Sequence, residues 1–437
     1  MMMKSRFPMA CALLCASLSL QAMSGEPAEG FLEDSRLVLT QRNFYFHRNM
    51  LNNPGGQNYR EEWAHGMQLD YSSGYTRGTV GLGVDAYASL GLKLDSNRAR
   101  TGTDLLPLDS AGRPEDDYSE VGAALKLRIS RSELKYGSQA PMNPVFGTGN
   151  ARLFAPMAIG FSLASRERDD LLLEAGHFTA GNDGNSTNGD GALKALFAQV
   201  ETRRVDYAGF DWTPAEGTGL SAYTSRFEDV WRQHYLGANH RVGLDEARTL
   251  TFDFNLYRTR GQGRRLAGGI DTTAWSASAR YSQGAHALTL AHQRVSGDEP
   301  FDYLGFDRQP GTSIYLANSV QVLDFNAPNE RSWQLRYDLD LALFGVPGLG
   351  FMTRYIRGDH IDDSHHKGPG SYQRYGEAGK RWERDIELRY VVQSGSAKDL
   401  SVRLRQASIR STEQVARADT ADNNELRVII EYPLQLL

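Results

Sequence analysis

The amino-acid sequence predicts an all-β protein whose roughly 18 antiparallel strands close into a transmembrane barrel. Three observations predict this class: apolar and polar residues alternate with a period of two, charged residues stand in the middle of the polar faces, and clusters of Gly, Asp and Asn separate the segments. The 437-residue chain is 40% apolar and 10% aromatic, and it contains 44 glycines. This composition excludes a disordered chain and suits β and turn structure.

The period of two identifies individual strands, each with one apolar and one polar face. In one of them, Trp333 and Leu335 alternate with Gln334 and Arg336. The clearest of these segments are 251–256, 275–281, 332–339, 385–392, 401–405 and 425–432. Glycine-rich and Asp/Asn-rich clusters at 53–56, 181–191, 362–370 and 418–424 predict the longer loops. With about 23 residues for a strand and its connection, the chain holds roughly 18 strands.

The polar faces favour a membrane barrel over a soluble sandwich. They carry Arg, Asp, Glu and Gln in mid-strand, and the apolar faces are rich in Tyr, Trp and Phe near the strand ends. Lipid-facing barrels show this pattern, and closure removes unpaired sheet edges. No run of ~18 apolar residues predicts a spanning helix. The alternative is a secreted β-rich binding protein or hydrolase that buries its apolar face.

The first 22 residues predict a cleaved signal peptide. Lys4 and Arg6 precede an apolar stretch at 9–20, and both cysteines of the chain lie inside the segment. Residues 23–437 then form a single β-barrel domain without disulfides. Its formal charge of −7 argues against a nucleic-acid partner.

Several longer motifs resemble one family. They include FLEDSRLVLTQRNFYFHR (31–48), DDYSEVGAALKLRISRSELKYG (116–137), FEDVWRQHYLGANH (227–240) and WERDIELRYVVQSGSAKDLSVRLRQ (382–406). These stretches resemble the OprD family of outer-membrane carboxylate channels. The resemblance implies an 18-stranded barrel in the bacterial outer membrane, with inward-folded extracellular loops. It also implies passive uptake of small carboxylate-bearing nutrients, without a cofactor, by a monomer or weak homotrimer.

Two further motifs bear on the substrate. FDFNLYRT (252–259) and FDYLGF (301–306) look most like the family branch associated with basic amino acids and small peptides. The sister branch, associated with cyclic or aromatic carboxylates, is the alternative.

The family lines its channel with a ladder of cations, and strand parity supplies the candidates in this chain. A guanidinium is always charged and offers a planar fork to a carboxylate, so a row of them can pass an anion along the channel. The alternative role is to brace the wall by pairing with acids in the lumen. The candidates are Arg42, Lys126, Arg128, Arg336, Arg354, Arg389, Arg403, Arg405 and Arg427.

A substrate amine would need acids opposite this ladder. By resemblance, the region 297–318 reaches toward the constriction, where Asp302, Tyr303, Asp307 and Tyr315 are the candidates. The alternative is a solvated outer loop.

Enzymatic and metal-binding interpretations have weaker support. Some family members have been classed as serine-type peptidases, and the matching positions are His177, Asp229 and Ser319. They fall in separate segments, without a Gly-x-Ser-x-Gly motif, so we expect no enzyme activity. We also expect no metal site at His360, His365 and His366 with their neighbouring aspartates, and no calcium site in 181–191, which lacks EF-hand spacing.

Overall fold

A closed antiparallel barrel is the architecture of this chain. The computed structural model describes residues 30–51, 53, 56–306, 309–366, 372 and 375–437. Within these residues eighteen long strands form one sheet whose last strand pairs with its first. Closure gives every strand two neighbours, so no edge faces lipid with unpaired backbone groups. The predicted barrel is confirmed, and the predicted signal peptide, 1–22, lies outside the described residues.

Each barrel strand pairs with the next one along the chain. In chain order the strands are β1 (Arg36–Met50), β2 (Tyr59–Ser72), β3 (Val80–Asp95), β4 (Asp117–Ile129), β5 (Ser132–Gln139), β6 (Met157–Arg168), β7 (Leu171–Asn182), β8 (Val205–Ala215), β9 (Thr218–Phe227), β10 (Trp231–Gly243), β11 (Arg248–Gly261), β12 (Asp271–Gln283), β13 (His286–Ser296), β14 (Arg331–Asp340), β15 (Leu349–Ile361), β16 (Gly379–Val391), β17 (Ser401–Ser411) and β18 (Asn423–Gln435).

The connections add little further regular structure. Two-residue strands Met142–Asn143 and Phe146–Gly147 pair with each other, and Leu193–Ala195, Val200–Thr202 and Leu304–Gly305 form a small separate sheet. A 3₁₀ turn spans Leu341–Phe344, and helix α1 spans Glu413–Ala418. Among the described residues no helix is both long and apolar enough to cross a membrane.

The predicted alternation separates a lipid face from a lumen face. On β14, Trp333 and Leu335 are more than half exposed on the outside, whereas Gln334 between them is buried against an inward-folded loop. On β17, Leu404 is exposed on the outer face, and its neighbours Arg403 and Arg405 point into the barrel. The polar residues therefore line the interior and the apolar residues line the exterior.

The two ends of the barrel differ in their connections. Two-residue turns such as 130–131, 169–170 and 216–217 lie at the end where the barrel sheet begins and finishes. The opposite end carries the long connections, including 140–156 and 297–330. These are called the short-turn end and the long-loop end below.

Residues 140–156, one of the long loops, fold into the barrel and pack on its inner wall. A methyl group built on Gly66 of β2 would lie 2.8 Å from Leu153 Cγ and 2.9 Å from the Phe154 ring. The absence of a side chain at Gly66 therefore lets residues 140–156 pack directly on the inner wall. Phe44 and Phe46 of β1 are fully buried in the same apolar cluster.

We expect Leu404→Arg to impair barrel assembly, because Leu404 is 43% exposed on the lipid face and a charge near the bilayer midplane costs ~2–4 kcal/mol. The matched control is Leu343→Arg, which places the same charge in the exposed 3₁₀ turn at the short-turn end. Heat-dependent gel mobility after membrane extraction measures assembly. Normal assembly of the Leu404 variant would mean that this face of β17 does not meet lipid.

Candidate functional site: the channel interior

Inward-facing polar side chains hold residues 297–330, the constriction loop, against the barrel wall. The loop is bound by strands from β10 to β18, so it follows about half of the circumference. Its wall contacts include Gln233 Nε2 to the Asp302 carbonyl (3.0 Å), the Tyr315 N–H to Tyr257 Oη (3.0 Å), the Ala317 N–H to Ser276 Oγ (3.0 Å), Gln293 Nε2 to the Phe325 carbonyl (2.9 Å) and Gln334 Nε2 to the Ala317 carbonyl (2.9 Å).

A buried carboxylate anchors the far part of this loop. Glu383 of β16 accepts the N–H groups of Val322 at 3.0 Å and Leu323 at 2.8 Å, and its side chain is fully buried. Next to it, Gln321 Nε2 donates to Glu425 Oε1 of β18 at 2.8 Å. Buried backbone donors need such partners, so these carboxylates fix the path of the loop across the wall.

The second inward loop, 140–156, joins the first. The Thr312 N–H donates to the Gly147 carbonyl at 2.9 Å, and the Gly149 N–H donates to Thr312 Oγ1 at 2.8 Å. Arg42 of β1 donates through Nη1 to Asn150 Oδ1 at 2.5 Å and to the Arg152 carbonyl at 2.8 Å. The two loops therefore form one continuous constriction inside the barrel.

Seven of the nine predicted ladder residues occupy neighbouring strands, from β14 through β18 to β1. Strand pairing sets Arg336 opposite Arg354, and Arg403 opposite Arg389. It also sets Arg405 opposite Arg427. We call this group the arginine wall: Arg42, Arg336, Arg354, Arg389, Arg403, Arg405 and Arg427.

Much of the arginine wall is paired with acids. Arg354 Nε lies 2.6 Å from Asp385, Arg336 lies 2.7 Å from Asp338, and Arg427 lies 2.6 Å from Glu425. Arg42 pairs with Glu431. Arg427 is only 4% exposed, so it braces the wall.

Arg336 keeps 35% of its side-chain surface exposed beside Asp338. Arg403 and Arg405 are also partly accessible. Both approach a single carboxylate, Glu387, at 3.6 and 2.9 Å. Their side chains keep 25% and 19% of their surface exposed in the lumen. Two cations that share one anion leave a net positive charge on this stretch of the wall.

The other two predicted ladder residues lie apart, on β4. Lys126 Nζ lies 2.7 Å from Asp85, whose other oxygen is 2.8 Å from Lys135. The Arg128 guanidinium stacks 4.2 Å above the ring of Tyr75. This group therefore forms its own charge cluster near the short-turn end.

An acidic pair that the sequence analysis missed lies across the barrel. Glu174 of β7 and Asp211 of β8 both approach the Tyr223 hydroxyl at 2.7 Å, and Ser221 also donates to Asp211. Because one hydroxyl proton serves one carboxylate at a time, this acidic pair retains capacity for another donor. The parity of the segment LLLEAGHF could have placed Glu174 inward.

The acidic pair and the accessible arginines lie on opposite sides of the channel. In the barrel of the described residues, strands nine places apart lie across from one another, so β7 and β8 face β16 and β17. Arg389 and Arg403 lie two residues from the short-turn ends of their strands; Glu174 and Asp211 lie three and four residues from theirs. At this level of the lumen, Arg389 and Arg403 therefore lie on one side and Glu174 and Asp211 on the other.

Comparison with known proteins confirms the family that the sequence motifs predict. The model of the family described as outer membrane porin, OprD family, matches residues 29–436. The chain belongs to the OprD family of outer-membrane porins. It is 47% identical to Porin D of Pseudomonas aeruginosa over 94% of this chain and 93% of that one. The crystal structure of P. aeruginosa OprD superposes with a TM-score of 0.81 at 44% identity, covering 94% and 97% of the two chains. That of OpdK with vanillate, from the same organism, gives 0.83 at 36% identity, covering 93% and 100%.

The orientation of this porin in the outer membrane follows from its fold. Porins of this kind place their short turns in the periplasm and their longer loops outside the cell. The constriction loop therefore enters the barrel from the extracellular side.

The predicted constriction residues of this porin have different surroundings. Asp302 is fully buried and accepts the N–H groups of Phe197 (2.8 Å), Ala198 (3.0 Å) and Tyr303 (2.8 Å), so its carboxylate organises loop structure. Burial raises the pKa of Asp302 to about 6, and the N–H donors oppose the rise. The Tyr303 hydroxyl donates to Asp324 Oδ2 at 2.7 Å.

Tyr315 is the predicted residue that meets the acidic side of the channel. Its side chain is 38% exposed and packs edge-on against Tyr235 of β10. Burial, followed by the charges of Asp211 and Glu174, raises the pKa of its hydroxyl. Asp307 lies outside the described residues.

The three residues matched to a peptidase have separate partners. His177 lies on the outer face of β7 with Asp206 at 2.6 Å. Asp229, in the connection after β9, accepts from Arg264 Nε at 2.7 Å, and Ser319 Oγ donates to Asp324 at 2.6 Å. Among the described residues no hydrogen bond joins any two of these three side chains.

The histidines at the long-loop end are also held by different groups. His360 contacts Asp359 at 2.5 Å, and His366 contacts Glu299 at 3.2 Å. Asp363 accepts the Tyr375 and Gly376 N–H groups. In the part of the chain that the structure describes, no group of three or more His, Cys, Asp or Glu residues is placed to hold a metal ion.

We expect Glu383→Ala to loosen the constriction loop, because it strands the N–H groups of Val322 and Leu323 at a cost of ~1–3 kcal/mol each. Single-channel conductance should rise and fluctuate more. The control is Glu413→Ala, which removes an exposed carboxylate from helix α1. Unchanged conductance in the Glu383 variant would mean that other wall contacts suffice to hold the loop.

Proposed function

We propose that this porin takes up basic amino acids and small peptides that carry a carboxylate and a cationic group together. The observation that carries the proposal is the position of the acidic pair, Glu174 and Asp211, across the lumen from Arg403 and Arg405. A substrate with charges of both signs can meet a complementary group on each side. A simple anion can use the arginine side only.

The two walls supply contacts that are weak enough for transport. A guanidinium binds a carboxylate through two parallel N–H groups, and a carboxylate accepts hydrogen bonds from an ammonium or guanidinium. Arg403 and Arg405 stand roughly 7 Å apart along one strand, a distance that suits transfer of a carboxylate between them. Because both arginines already contact Glu387, a substrate carboxylate competes with that carboxylate and can leave again.

The comparisons support this substrate class over aromatic acids. In the structural superpositions the chain is 44% identical to P. aeruginosa OprD but 36% identical to OpdK, a channel solved with vanillate. Vanillate carries a carboxylate and no cationic group, so its recognition would make no use of the acidic pair.

We infer further that the chain acts as a passive, non-enzymatic channel. The separate partners of His177, Asp229 and Ser319 support this, since a triad needs its side chains within hydrogen-bonding distance. A monomeric pore or weak homotrimer stays our prediction for the assembly, with small carboxylates and membrane lipid as its partners. The division into a signal peptide, 1–22, and one domain, 23–437, is likewise a prediction.

The double substitution Arg403→Ala, Arg405→Ala should leave the barrel inserted and lower carboxylate flux roughly twofold to fivefold, as expected for partly exposed charge contacts. It should also shift ion selectivity toward cations, because two fixed positive charges leave the lumen. Reversal potentials of planar bilayers in a salt gradient measure this shift. Unchanged potential and unchanged flux would assign both arginines to bracing the wall.

The double substitution Glu174→Gln, Asp211→Asn should slow lysine and arginine uptake more than uptake of anionic substrates, by roughly twofold to fivefold. The matched control is Glu133→Gln, which removes an inward carboxylate that lies 3.4 Å from Lys135 on β5. Liposome uptake of lysine and glutamate measures the difference. An equal loss for both substrates would show that the acidic pair does not contact the amine.

A further inference from the structure

We propose that the outer face of the barrel, on its long-loop side, binds the phosphate groups of outer-leaflet lipid headgroups. The site consists of four arginines on the consecutive strands β13 to β16. We call them the rim arginines: Arg294, Arg331, Arg357 and Arg384. The proposal concerns the outside of the wall and does not depend on what passes through the lumen.

All four rim arginines point away from the channel. Each is exposed, and each follows or precedes an inward residue that is fully buried. These buried neighbours are Gln293, Ser332, Ile356 and Glu383. Because side chains alternate along a strand, the arginines must lie on the outer surface.

Two of the rim arginines lie directly opposite each other on paired strands. Strand pairing sets Arg294 directly opposite Arg331, an arrangement in which like charges repel and destabilise the sheet. An anion between the two guanidinium groups would remove this repulsion. Such a forked pair matches the oxygens of a phosphate group.

The protein itself supplies little negative charge at this place. Among the described residues, none of the four rim arginines forms an ion pair with a carboxylate within 4.0 Å. Asp359 lies opposite Arg331, but its carboxylate contacts His360 Nδ1 at 2.5 Å. Arg384 donates to the Gln406 amide oxygen at 3.1 Å.

Three arginines at the short-turn end are paired with carboxylates of the same chain. Arg168 lies 2.7 Å from Asp170, Arg248 lies 2.5 Å from Asp245, and Arg131 lies 2.5 Å from Asp169. The rim arginines thus differ from these three arginines, because among the described residues none of the four has a carboxylate within 4.0 Å.

The aromatic residues of the outer face place the rim arginines at the level of lipid headgroups. Trp275 lies opposite Arg294, and Arg357 lies between Trp333 and Trp382. Tyr355 lies opposite Arg384. Tryptophan and tyrosine belts mark the membrane interface, so these guanidinium groups meet the headgroup layer, where they attract anionic lipid.

This depth favours lipid over an acidic protein as the occupant. The rim arginines belong to the strands and lie within the aromatic belt; they are not on the long loops that extend beyond it. A soluble partner would have to displace headgroups to reach them. The phosphates of a lipid already occupy that layer.

The test compares the triple variant Arg294→Gln, Arg331→Gln, Arg357→Gln with a triple control at the short-turn end, Arg131→Gln, Arg168→Gln, Arg248→Gln. Both variants lose three positive charges from the ends of barrel strands or their turns. Purified barrels are titrated with diphosphorylated lipid A in detergent, and bound lipid is counted by native mass spectrometry. The same titration is run with lipid A stripped of its phosphates and with a polyaspartate peptide.

We expect the rim variant to bind diphosphorylated lipid A about tenfold more weakly than the wild type, and the control variant to bind it normally. Wild-type binding should fall similarly when the phosphates are removed. Equal binding by rim variant and wild type, or tighter binding of the peptide than of the lipid, would overturn the proposal. If the glutamine variant does not assemble, the lysine variant at the same three positions decides, since it keeps the charge and should retain most of the binding.

Discussion

The pairing of β18 with β1 is the interaction on which the rest of the structure depends. Residues 423–435 and 38–50 form a continuous antiparallel ladder that closes the sheet. Lipid offers no hydrogen bonds, so a sheet can cross it only when every edge is paired. Closure then divides each strand into a lipid face and a lumen face. At eighteen strands in the described part of the chain, the interior is too wide for wall side chains to fill, and inward loops narrow it.

The polar interior therefore performs two tasks. Some groups form the hydrogen bonds that hold the loops. Glu383 accepts two backbone N–H groups, and Asp302 accepts three. Gln293 and Gln334 donate to carbonyl groups of the constriction loop. Others are partly exposed in the lumen, chiefly Arg403 and the acidic pair. The first set is buried and the second set is partly exposed. Burial thus separates residues that shape the channel from residues that meet its contents.

The sequence predicts the wall better than it predicts the loops. The period of two identifies strands such as 332–339 and gives the inward direction of all nine ladder cations, because parity is a local property. It does not indicate which cations are accessible. Glu387, which Arg403 approaches, comes from another strand, and the Gln321 carbonyl that contacts Arg427 comes from the constriction loop. Asp302 has the same local pattern as a channel acid, yet its partners lie about a hundred residues away. Local sequence patterns do not identify the acidic pair, because Glu174 and Asp211 come together only through strand pairing. They face Arg403 only because the barrel closes.

The proposed substrate class depends on recognition of opposite charges by opposite walls of the lumen. Uptake into liposomes that contain the wild-type porin tests it most directly, with three substrates of similar length: lysine, 1,5-diaminopentane, which lacks the carboxylate, and hexanoate, which lacks both amines. We predict that lysine enters faster than either of the others. Uptake of hexanoate at or above the rate of lysine would contradict the account, because it would leave the acidic wall without a role.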